Sequence, residues 1–228
     1  MKCKKNIIQS FVQLKFDFDI QVSLDVDFSP TYETHAKPFS ADFIHIEVSD
    51  EDVKKIDEFV KLVIIKKKSE SHHQNDKGSH YKRYYTGILG EVAMEKFFGI
   101  TGIVDWSVGD SEKYYVPDLR NIGLEVGIKT AYYGAFPIVF KKNFLNEIIL
   151  IRWKDRHIYI CGLATVNVLN KYQSDELILD DNLRKRGTKT GFYGFSYLKK
   201  FSSLNELKQL LENEKSKPND VGLGESTR

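Results

Sequence analysis

Four ionisable residues in this sequence have the types and spacing to do chemistry together. Asp118, Glu125 and Lys129 fall within VPDLRNIGLEVGIKTA, residues 116–131, and Glu91 lies upstream in RYYTGILGEVAMEKFFG, residues 83–99. A strand through LEVGIK puts Glu125, Gly127 and Lys129 on one face and Leu124, Val126 and Ile128 on the other, because strand side chains alternate. The second face is apolar and packs. The first carries a carboxylate, a gap and an ammonium. Pro117 sets an extended or turn geometry just before Asp118. A turn at Asn121-Ile122-Gly123 would fold residues 116–120 back beside 124–129 and bring Asp118 towards Glu125. Two carboxylates that close repel unless a cation lies between them. Oxygen donors select Mg²⁺, Mn²⁺ or Ca²⁺ over zinc.

Glu91 adds a third acid. Its helical neighbours are Tyr84, Gly87, Ile88, Met94, Glu95 and Phe98, most of them apolar or small. Gly87 and Gly90 each weaken a helix by roughly 1 kcal/mol relative to alanine, and they let its backbone approach another element closely. A carboxylate on such a packing face needs a cation, a metal or its own proton. A metal held by Asp118 and Glu125, with Glu91 close by, suits phosphodiester hydrolysis: it polarises a phosphoryl oxygen and acidifies a bound water. A lysine beside that water orients it and offsets the developing charge.

Pro117-Asp118, then Glu125 on the following strand with a lysine just beyond, after a helix carrying Glu91, resembles the PD-(D/E)XK nuclease superfamily. The resemblance spans roughly residues 80–165. It implies a restriction-endonuclease-like core, Mg²⁺ (or Mn²⁺) as cofactor and DNA as partner and substrate. It also implies Asp118, Glu125 and Glu91 as metal ligands and Lys129 as the residue acting on the nucleophilic water or the phosphate. One residue separates acid and lysine in that family. Here Gly127 stands at the lysine's position, and Lys129 is one pleat further, roughly 6.6 Å along the strand. Lys141 or Lys142 from a neighbouring strand is an alternative source of the cation. The expected activity is that of a metal-dependent DNA endonuclease. The rival is a non-catalytic nucleic-acid-binding or interaction protein that keeps the fold, and Gly127 favours it. A purely structural reading has Asp118 capping a turn, Glu125 and Lys129 forming a surface ion pair, and Glu91 pairing with Lys129 or Arg83.

The elements that must position these residues read as an α/β fold of the α+β kind, with a central mixed sheet flanked by helices. Ser49 caps a helix over about Asp50–Lys66, with Val53, Ile56, Phe59, Val60 and Val63 as its apolar stripe. A second helix spans about His80–Phe98. Strands are expected at Ile103–Val108, Leu119–Thr130 (as a hairpin), Pro137–Lys141, Glu147–Lys154 and His157–Ala164, the last two antiparallel across a short turn at Asp155-Arg156. A capping box at Ser203 and Glu206 opens a closing helix to about Asn213. Residues 12–28 alternate apolar and polar without a break, a half-buried strand signal. The expected organisation is a β-rich segment over 1–48, the core over 49–213 and a disordered tail over 214–228.

Residues 182–194, NLRKRGTKTGFYG, combine cations, hydroxyls and aromatics. Arg184, Lys185, Arg186, Lys189 and Tyr193, with Lys141 and Lys142, are the expected nucleic-acid contacts. The paired His72 and His73 read as loop residues. The net charge of +2 over 228 residues does not announce nucleic-acid binding, so any basic surface is local. Two distant cysteines, Cys3 and Cys161, give no zinc pattern and favour a reducing, cytoplasmic setting. No apolar run is long enough to span a membrane. A homodimer stays open.

Overall fold

The computed structural model describes residues 36–67, 80–107 and 116–216. The alternating stretch 12–28, Cys3, His72, His73 and the tail beyond 216 lie outside them. The main sheet has four strands: β1 (Ile44–Glu47), β2 (Val126–Tyr132), β4 (Asn146–Trp153) and β5 (His157–Ala164), in the order β1-β5-β4-β2. β1 and β4 run antiparallel to β5, and β2 runs parallel to β4, so the sheet is mixed. β1, within the segment 1–48, is hydrogen-bonded into this sheet. A second sheet, not expected from the sequence, has the order β3-β7-β6, with β3 (Ile138–Phe140), β6 (Gln173–Ser174) and β7 (Lys189–Phe192).

The apolar run of β4 explains the layering. Ile148 and Leu150 face a cluster with Ile56 and Val60 of α1 (Asp50–Lys67), Leu89 and Met94 of α2 (His80–Phe98), and Leu207 and Leu211. Ile149 and Ile151 face a cluster with Val139, Leu169, Phe192 and Phe195. A strand covered on both sides has no polar face, so its sequence runs apolar throughout. Within Glu147–Ile151 only Glu147 breaks the run, and Asn146 and Arg152 stand at the less buried ends of the strand.

The helix signals hold. Asp52 N–H donates to Ser49 Oγ at 3.2 Å, capping α1. Glu206 N–H donates to Ser203 Oγ at 3.2 Å, opening the closing helix, Leu204–Lys215. That helix runs two residues past Asn213. Two short helices escaped the sequence reading: α3 (Val166–Lys171), capped by Thr165, and α4 (Asp181–Lys185), capped by Asp180. The closing helix is therefore α5. The expected β4–β5 hairpin forms, and the Arg152 guanidinium closes its loop by donating to the Lys154 and Asp155 carbonyls.

Two expected strands are corrected. Residues 103–107 are a loop, because Glu95 Oε1 collects the N–H groups of Gly102, Ile103 and Val104 at 2.7, 2.8 and 3.1 Å. One carboxylate oxygen takes the donors that a neighbouring strand would need. Leu119–Thr130 is not a hairpin either: Arg120–Ile122 is a 3₁₀ turn ending at Gly123, with φ 80°, and only β2 is a strand. Among the described residues no helix is long and apolar enough to cross a membrane.

Candidate active site

The fold-back expected at residues 121–123 takes place. Leu119 N–H donates to the Val126 carbonyl at 3.0 Å, and Leu124 N–H to the Leu119 carbonyl at 3.1 Å. This lays Asp118 along β2, which has β4 as its one strand neighbour in the sheet. The Asp118 Oδ2 oxygen accepts from Ile128 N–H at 2.5 Å. A carboxylate thus occupies part of the strand edge, and the turn's role is to deliver it there.

Gly127 faces Glu147 across the parallel β2–β4 pair. A Cβ at Gly127 would overlap the Glu147 carboxyl group, with its Cδ only 2.8 Å away. The glycine therefore makes room for a carboxylate from the next strand. Glu147 is 7% exposed. Its Oε1 lies 3.4 Å from Lys129 Nζ, while its Oε2 is buried with no hydrogen-bond partner. Lys129 keeps a third of its side chain (33%) in solvent.

Glu91 joins the group from α2. That helix lies close against β2 because Gly90 has no side chain: a Cβ there would stand 3.1 Å from Thr130 Cβ and overlap its Oγ1. Burial pushes the Glu91 carboxyl well above its usual range, and Asp118, Glu95 and Asp105 push it further, with Lys129 opposing. Burial also raises Asp118, against the Ile128 N–H and Lys129. Burial carries Glu147 up to about 7, opposed by Lys129 and reinforced by Asp118. One ammonium thus serves three carboxyls, of which Asp118 acts on both of the others. One buried and two half-buried carboxylates beside a single lysine are costly to keep charged without protons or a further cation.

The structure brings Asp118, Glu91 and Lys129 together, as expected, but Glu147 stands in the place expected of Glu125. Glu125 is exposed and precedes β2. It lines an open groove of about 540 Å³ with Asn146, Thr165, Lys208 and Glu212. It is not among the charges that chiefly act on Glu91, Asp118 or Glu147. Two residues before Lys129 stands Gly127 rather than an acid, and the carboxylate that fills its place comes from Glu147 on β4. The available signal was Glu147 itself, a lone charge opening the run EIILI.

The oxygen-only donor set and the orphaned Glu147 Oε2 fit a hard divalent cation. The carboxyls are gathered but not drawn into a finished cage: among the described residues no three His, Cys, Asp or Glu side chains are close enough to share an ion.

Of the expected nucleic-acid contacts, Lys141, Lys142, Arg184, Lys185 and Arg186 are exposed. Lys141 N–H donates to the Thr188 carbonyl at 3.1 Å, which ties the 141–142 and 184–189 segments together. Lys141 Nζ pairs with Asp175 at 2.5 Å. Lys142 and Lys189 lie over the rings of Phe144 and Phe140, at 5.3 and 5.5 Å from the centroids. Arg184 is exposed, and its Nη2 donates to the Ile178 carbonyl at 2.6 Å. Tyr193 packs edge-on against Tyr172, with centroids 6.1 Å apart, so its ring belongs to the second core cluster.

Comparison of the chain with protein-family models, with curated proteins and with solved structures finds no match. The class defined by fold and site is a mixed α/β protein with a carboxylate–lysine cluster at the edge of its main sheet.

Proposed function

We propose that this chain is a Mg²⁺- or Mn²⁺-dependent DNA endonuclease with a restriction-endonuclease-like core of the PD-(D/E)XK type, in which Glu147 supplies the second acid from β4. The observation carrying this reading is the Glu147 carboxylate lying in the space left by Gly127, 3.4 Å from Lys129 and with one oxygen orphaned. Asp118 and Glu147 would hold the cation, with Glu91 close enough to act on Asp118. Bound there, the cation would supply Lewis-acid polarisation of the phosphate and a more acidic water. Lys129, part buried and part in solvent, donates to a phosphoryl oxygen or orients the attacking water. Glu91, which burial pushes well above the ordinary carboxylate range, contributes a further carboxyl near Asp118 and Lys129.

The Lys129–Glu147 ion pair also favours a second reading, a fold-stabilising pair in a non-catalytic nucleic-acid-binding protein. Incubation of wild type and Asp118→Ala with plasmid and single-stranded DNA, with Mg²⁺ or Mn²⁺, separates the two. The nuclease reading predicts cleavage by wild type and its loss in the variant. It also predicts a rise in melting temperature with Mn²⁺ in wild type alone. DNA binding without cleavage under any metal would establish the second reading.

A further inference from the structure

Phe144 holds a large aromatic ring in water: 75% of it is exposed, on the connection between β3 and β4. The connection is not loose. Asn143, beside it, is 6% exposed. Its N–H donates to Asn170 Oδ1 at 2.8 Å and its Nδ2 to the Phe140 carbonyl at 2.7 Å. Asn170 Nδ2 donates back to the Asn143 carbonyl at 3.3 Å. With Asn143 pinned inward, its neighbours Lys142 and Phe144 turn outward. Lys142 Nζ stands 5.3 Å from the Phe144 ring centroid. An exposed ring on an anchored backbone, with a cation beside it, loses less conformational freedom on covering by a flat ligand than a ring on a loose loop would.

The occupant follows from chemistry and from place. Phe144 precedes Glu147 by three residues, so their Cα atoms are at most about 11 Å apart. The ligand must offer an aromatic face to Phe144 and negative charge to Lys142 while it reaches the carboxylate–lysine cluster. A nucleotide offers both. Bases inside a duplex are stacked on their neighbours, so only an unpaired base has a face to give. Resting on the nuclease reading above, we infer that Phe144 and Lys142 form a stacking platform for an unpaired base beside the scissile phosphate. The substrate is then a single strand, or a duplex with a locally unwound strand.

The test measures binding of a fluorescent thymidine 20-mer, an abasic strand of equal length and a 20-base-pair duplex, in Ca²⁺ or EDTA, by anisotropy. Wild type, Phe144→Ala and Phe144→Trp are compared. The ring contributes no core packing, so all three are expected to share one melting temperature. The expected result is about a tenfold or greater loss of thymidine-strand affinity in Phe144→Ala, retention in Phe144→Trp, and weak abasic binding throughout. Unchanged affinity in Phe144→Ala, or abasic binding equal to that of the thymidine strand, would overturn the platform. Its failure is separate from that of the nuclease reading. Loss of strand binding in Phe144→Ala without cleavage by any protein keeps the platform and removes the enzyme. Cleavage of single strands unaffected by Phe144→Ala does the reverse.

Discussion

At Gly127 the cost of a single methyl group can be stated in advance. It would overlap the Glu147 carboxyl, whose Cδ lies 2.8 Å from the added carbon. Gly127→Ala should therefore destabilise the fold by about 1–3 kcal/mol, as overpacking does, which a urea titration would read. If the two positions share one role, the carboxylate can be moved. The paired exchange Gly127→Glu with Glu147→Ala should recover metal-dependent cleavage that Glu147→Ala alone has lost. Failure of the pair to recover any activity would count against equivalence of the two positions. Glu147 also sets a pH dependence. Its carboxyl binds a proton more tightly in the folded state, up to about 7, than at its ordinary 4.5. The stability this gives is fully present below about pH 4.5 and is lost as pH rises through 7. Glu147→Gln has no such proton, so its stability should rise relative to wild type across that window, by an amount on the order of 3 kcal/mol. Melting at pH 4.5 and pH 8 would show it; equal pH profiles would contradict it.

At the scale of elements, α2 and β2 place the site, and Gly90 at Thr130 is the contact that sets their separation. Gly90→Ala should force α2 away from β2, costing about 1–3 kcal/mol and moving Glu91 with it. Thr130→Ala removes the buried, unpartnered hydroxyl that the new methyl meets. The double variant should recover part of the loss, a coupling that a double-mutant cycle measures directly. Additive losses would argue that the helix is held elsewhere. The elements also show what the sequence can and cannot convey. α1, α2, α5 and the β4–β5 hairpin were legible, because capping residues and apolar periodicity are local. The loop at 103–107 was not: its strand-like residues lose their donors to Glu95, and that contact is not written in their own pattern. Asp118, Glu91 and Lys129 were legible through the turn and the strand period. Glu147 was not assigned to the site, since its place opposite Gly127 depends on a parallel pairing between strands twenty residues apart. A glycine in a strand marks a close approach but does not name what approaches.

For the whole molecule, a net charge of +2 leaves no global field to attract nucleic acid. On the nuclease reading, binding would come from local cations, among them Lys141, Lys142, Lys185, Arg186 and Lys189. If all five cations meet phosphates, the logarithmic salt slope for a single strand is no steeper than about −3.5. A markedly steeper slope would mean that a different surface does the binding. Which acid serves the proposed site, Glu147 or Glu125, is the central question. The most direct measurement is metal-dependent cleavage by Glu147→Gln beside Glu125→Gln, with folding of both verified by melting. Glu147→Gln should lose cleavage and the stabilisation by Mn²⁺, while Glu125→Gln should stay close to wild type. Full cleavage by Glu147→Gln, with loss in Glu125→Gln, would contradict it.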